Sequence, residues 1–163
     1  MNRLVAGCAM LLTGACCTAH TRLLLQDEAV ISNDLRAVQD AQATYQAMNA
    51  GGYDTLECLA APSRCMRGYP EGAPVFLPAH LATLAPENGY VRTFHAGQPL
   101  PATAPHASRS SLLGWAYTAV PERERSGRKS FCADSTGRIC VFLDGAAPRV
   151  EDALCPSPCE RIR

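Results

Sequence analysis

Apolar side chains at Leu24, Ile31, Leu35, Val38, Ala41, Tyr45 and Met48 recur at gaps of three, four and seven. That spacing places them on one face of a helix with 3.6 residues per turn. The other face carries Asp27, Ser32, Asn33, Arg36, Gln39, Asp40 and Gln46. No proline interrupts the pattern, and Asn49-Ala50-Gly51-Gly52 supplies a glycine stop. The pattern predicts one helix that begins near Arg22 and ends at Met48. At 1.5 Å per residue its roughly 25 residues from Leu24 to Met48 are about 37 Å long, a spine for a small domain.

Beyond the spine the period changes from 3.6 to 2. The stretch from Gly51 to Pro74 is punctuated by Gly, Pro and Ser and reads as a loop, with Tyr53, Leu56 and Leu59 as its anchors. Pro78 to Leu84 fits a short helix with proline in its first turn, stopped by Pro86 and the Asn88-Gly89 turn. Tyr90–Phe94 alternates as a strand does, and Leu113–Val120 puts Leu113, Trp115 and Tyr117 on one face. Between them, Gln98–Ser110 holds three prolines and no periodicity, the mark of a surface loop. Lys129–Cys132 and Arg138–Phe142 flank a turn ending in Gly137 and form a hairpin. The expectation is an α+β fold, a long helix packed on an antiparallel sheet of three to four strands. Leu35, Val38, Tyr45, Trp115, Tyr117, Phe131 and Ile139 are expected to share its core.

The residues before the spine bear on the compartment. Met1-Asn2-Arg3 is a short basic start, and the apolar run from Leu4 leads to Gly14-Ala15-Cys16-Cys17. This has the shape of a secretory signal over residues 1–16, ahead of a single domain over 22–159. The run is shorter than the ~20 apolar residues of a comfortable membrane span. Cys16 after small residues resembles a lipobox, making Cys16 the candidate lipidation site, although Thr13 stands where Leu, Val or Ile is usual. Val5-Ala6-Gly7-Cys8 fits that pattern locally but has too few residues before it. An uncleaved apolar anchor is the alternative.

Cys58, Cys65, Cys132, Cys140, Cys155 and Cys159 remain in the exported part, an even set that in an oxidising compartment reads as disulfides. Six cysteines allow 15 connectivities. Proximity favours Cys58 with Cys65, Cys132 with Cys140, and Cys155 with Cys159. The competing zinc site lacks a two-residue cysteine spacing and a nearby histidine.

Fifteen basic and fifteen acidic residues cancel, which argues against a nucleic-acid partner. Arg123, Arg125, Arg128 and Lys129 alternate with Glu122 and Glu124 and read as a solvated loop. The chain has no Gly-x-Ser-x-Gly, phosphate loop, dinucleotide glycine fingerprint or His-Glu-x-x-His. His20, His80, His95 and His106 are scattered along it, and Asp134 suits capping of a hairpin turn. No catalytic residue, metal or cofactor is expected.

Two segments resemble bacterial type IV pilin-like proteins and pseudopilins. Asn33–Tyr45, with its Leu-Arg followed by Ala-x-x-x-Tyr, looks like the second half of their long helix. Tyr117-Thr118-Ala119-Val120-Pro121 and then Gly127–Ile139, with Arg-x-Phe-Cys-x-Asp-x-x-Gly, resemble their strand, loop and hairpin. The resemblance covers about Asp27 to Asp144 and implies a long N-terminal helix on a small antiparallel sheet. The Gly-Phe-x-x-x-Glu segment that anchors a pilin in the membrane is missing. A filament core would also bury Asp27, Glu28 and Asp34 unpaired, at several kcal/mol each.

The functional expectation is a non-enzymatic exported protein of the cell envelope, tethered to the membrane by its N-terminus. It would act as an accessory or interaction subunit whose partners are pilus or secretion-system subunits. One alternative is a minor pilin or pseudopilin of a type IV pilus or type II secretion system. Another is a small exported ligand-binding protein or hydrolase with a site in the loop Gln98–Ser110.

Overall fold

The computed structural model describes residues 11–101, 107–123 and 128–161, with side chains from Gln26 onward in the first helix. Helix α1 spans Leu11–Met48, 38 residues, or about 57 Å. It starts well before the expected Arg22 and runs without a break through Cys16-Cys17. Leu11 to Leu25 contains no proline, so nothing local stops the helix there.

The buried stripe of α1 is Ile31, Leu35, Val38, Ala41 and Tyr45, as the periodicity predicts. Met48 departs from it and is 56% exposed. The helix ends there, and the next inward position belongs to Asn49, which is fully buried. Its side chain donates to Gly52 O and to Ser111 Oγ and accepts from Ser108 N. Gln42 also occupies the stripe. Its amide bonds both backbone groups of Asp54, at 2.7 and 3.2 Å, as a neighbouring strand would.

The segment expected to be a loop contains helix α2 (Leu56–Ala60), capped by Thr55, and a 3₁₀ turn at Pro62–Arg64. Leu56 and Leu59 anchor it in the core, and the amides of Phe76 and Leu77 fold back onto Leu59 O. Helix α3 spans Ala79–Ala82. Asn88 and Gly89 then turn the chain with φ of +52° and +72°, a left-handed pair that suits Asn-Gly.

The sheet has five strands rather than three to four: β1 (Tyr90–Ala96), β2 (Trp115–Pro121), β3 (Ser130–Asp134), β4 (Ile139–Phe142) and β5 (Glu160–Arg161). Their order is β1-β2-β3-β4-β5, each antiparallel to the next. The fifth strand carries no alternation signal because it has only two residues, brought to β4 from the tail. Alternation along the strands gives the sheet an inner and an outer face. The inner face, toward α1, presents Tyr90, Arg92, Trp115, Tyr117, Ala119, Phe131, Ala133 and Ile139. All seven residues expected in the core lie in one cluster there. Leu113 does not join Trp115 and Tyr117. It precedes the strand, beyond Gly114, and is 56% exposed.

The outer face divides in two. Over β3 and β4 it is covered by the chain after Gly145, whose Cys155 packs with Ala116, Cys132 and Cys140. Over β1 it stays open at Val91 and Thr93.

Candidate functional site

Three acidic residues of α1 meet three basic residues carried by β1 and by the residues just before β3. Asp27 pairs with Arg128 at 2.7 Å, Glu28 with Lys129 at 3.0 Å, and Asp34 with Arg92 at 3.6 Å. Within the single chain each of the three acids therefore has a basic partner. Arg128 and Lys129 also leave the expected solvated loop. Arg128 lies over the Tyr90 ring at 5.7 Å and donates to Asn88 O, and Lys129 N donates to Glu28. Arg123 is exposed, whereas Arg125 lies outside the described residues.

Arg92 is the residue that residue type alone hides. The period of 2 puts it on the inner face between Tyr90 and Phe94, and it is only 3% exposed. Besides Asp34 it pairs with Glu87 at 3.1 Å and donates to Ala85 O and His80 O. Among the described residues its Nη1 has no hydrogen-bond partner within ordinary geometry, and neither has the buried Tyr117 hydroxyl. Burial raises the Asp34 carboxyl above its usual range, more than the neighbouring Arg92 lowers it.

A second cluster holds the tail on the outer face, centred on the fully buried Asp134. Oδ1 accepts from the amide and hydroxyl of Thr136. Oδ2 accepts from Arg138 Nη2 and from the Cys155 amide, both at 2.9 Å. Burial works against its charge, but these donors outweigh it and hold the carboxyl below its ordinary range. Asp134 thus caps its turn, as expected from a turn aspartate, and also fixes residue 155.

The six candidate cysteines form three disulfides: Cys58–Cys65, Cys132–Cys155 and Cys140–Cys159. The first is the local closure that proximity favours. The other two replace the expected Cys132–Cys140 and Cys155–Cys159 pairs. Cys132 and Cys140 are indeed opposite each other in the hairpin. However, Asp134 N donates to Arg138 O, so by alternation the site two residues on is also a hydrogen-bonded pair. Cβ atoms there lie toward the far end of ~4.5–5.5 Å, against ~3.8 Å for a disulfide. Each cysteine instead reaches up to the tail crossing above it.

Cys16, the candidate lipidation site, lies within α1, as does His20. His80 is exposed on α3, His106 lies outside the described residues, and His95 on the outer face bonds Thr118 Oγ1 at 3.0 Å. Burial lowers the His95 pKa from its ordinary value. The ends of the proline-rich loop are pinned by Leu100 N to Ser111 O and Leu113 N to Gln98 O, and its residues 102–106 lie outside the described ones.

Among the recesses that the described residues form, two are open to solvent. One, of about 340 Å³, lies between α1 and the 69–76 segment and is lined by Ala37, Asp40, Thr44, Tyr69, Val75 and Phe76. The other, of about 440 Å³, lies in the tail beside Arg149, Glu151, Asp152 and Leu154. Among the described residues no group of three or more His, Cys, Asp or Glu is placed to hold a metal ion. No helix among them is long and apolar enough to cross a membrane. Compared with models of protein families, with curated proteins and with solved structures, the chain matches none.

Proposed function

We propose that the protein is an exported, non-enzymatic, pilin-like subunit of the cell envelope, tethered to the membrane through its N-terminal segment and working by contact with other envelope proteins. The observation that carries this reading is the unbroken course of α1. The same helix that starts in the apolar, cysteine-bearing segment continues as the spine of a disulfide-closed domain. A helix of this kind transmits position from a membrane surface to a rigid body. Disulfides suit an oxidising compartment, and the element order agrees with the pilin resemblance.

The test is intact mass spectrometry of the protein from a bacterial membrane fraction. Cleavage before Cys16 with a diacylglyceryl adduct, and loss of membrane association in Cys16→Ser, is the expected result. Mass corresponding to an unprocessed, unmodified chain, with Cys16→Ser still in the membrane fraction, removes the lipid tether.

The same continuity of α1 from Leu11 favours a second reading, a minor pilin or pseudopilin held by an uncleaved N-terminal helix. Copurification with sheared pili or with secretion-system subunits supports it, and strict absence from both removes it.

A further inference from the structure

The two disulfides that staple the tail differ in what else holds each end. Cys155 is 4% exposed, and its amide and carbonyl are bonded to Asp134 and Arg138 independently of its sulfur. Cys132 and Cys140 are fully buried on the sheet. Cys159 is the one partly exposed cysteine of the four. Its neighbours Ser157, Pro158, Glu160 and Arg161 are exposed. Besides the peptide link to Cys155 and the packing of Cys159 on the Ala116, Cys132, Cys140 and Cys155 cluster, two ties hold 156–161 among the described residues. One is the pairing of Cys140 with Arg161 and of Val141 with Glu160, and the other is the Cys140–Cys159 bridge. A two-residue strand with both side chains in water cannot hold itself to a sheet.

We propose that Cys140–Cys159 is a redox latch, opened by an external dithiol ahead of Cys132–Cys155. Opening it releases β5 and leaves β4 as a free sheet edge with a Cys140 thiol upon it. A thiolate of the dithiol attacks Sγ of Cys159, forming a mixed disulfide as the Cys159–Cys140 bond breaks. Cys140 departs as a thiolate and takes a proton from water. The second thiol of the reagent then attacks its own sulfur in the mixed disulfide and expels the Cys159 thiolate. The dithiol ends as a disulfide, and the protein gains two electrons and two protons. Attack at the other staple needs a sulfur that the folded tail keeps buried, so it waits for wider opening. The proposal does not depend on the pilin-like reading.

The experiment exposes the oxidised full-length protein to a graded pulse of dithiothreitol, alkylates it with N-ethylmaleimide and maps the peptides. Labelling of Cys140 and Cys159 is expected about tenfold or more before that of Cys132 and Cys155. Hydrogen exchange should then rise in 139–142 and 156–161 while β2 and β3 stay protected. Simultaneous labelling of all four cysteines, or labelling of Cys132 and Cys155 first, overturns the latch. The double variant Cys140→Ser/Cys159→Ser tests it without reductant. A folded variant with fast exchange confined to the same two segments supports the latch. An unfolded variant overturns it, because the bridge is then a condition of the fold.

Discussion

Asp134 receives its donors from three residues, one of which, Cys155, is 21 positions away in sequence. A carboxylate so placed acts as a peg between turn and tail. Asp134→Ala strands the Cys155 amide and the Arg138 guanidinium, and a loss of about 2–4 kcal/mol is expected in denaturant unfolding. Its folded-state pKa lies below the unfolded value of 3.8. Its contribution is therefore complete above that value and disappears as pH falls through the folded one. The acid limb of a stability–pH profile should flatten in Asp134→Asn. An unchanged limb would show that the peg carries no such linkage. The turn role of Asp134 was legible from its place before Gly137, whereas the bond to Cys155 was not, because it needs the tail to return.

At the scale of elements, α1 meets the sheet through an apolar stripe and, toward its N-terminal side, a row of ion pairs. The two partners of the buried pair are not equivalent. Asp34 is raised because burial outweighs Arg92, so its ionised form gains little at neutral pH. Arg92 also serves Glu87 and two carbonyls. Asp34→Asn should therefore shift stability by about 0.5 kcal/mol or less, and Arg92→Ala should cost about 3–5 kcal/mol by leaving buried acceptors without a donor. Equal costs in thermal or urea unfolding would refute this asymmetry. The strands themselves were readable from period 2, and so was the face of Arg92. Its ion partners on α1 and beside α3 were not, because residue spacing says nothing about which helix turn lies over which strand.

For the whole molecule, the two long-range staples close the fold. Cys132–Cys155 spans 23 residues, and removing it by Cys132→Ala/Cys155→Ala is expected to cost about 3 kcal/mol from the loop entropy restored to the unfolded chain. Differential scanning calorimetry would record a lower Tm with a folded baseline, since Asp134 still holds residue 155. Loss of the folded baseline would instead make that staple essential. The result is a sheet covered on one face by the helix and on half of the other by the tail.

The hydrophobic pattern by itself determined that a long helix would pack on an antiparallel sheet, and it located four of the five strands and all seven expected core residues. Those properties depend on side chains a few positions apart, where backbone geometry leaves one choice of face. Tertiary structure alone decided the disulfide partners, the short fifth strand and the cations that neutralise α1. Cys132 faces Cys140 by register, as local reasoning says, yet both sulfurs bond to a tail that no pattern within the hairpin could bring there. Such pairings join segments far apart in sequence, and their geometry exists only once the intervening chain has folded over the sheet.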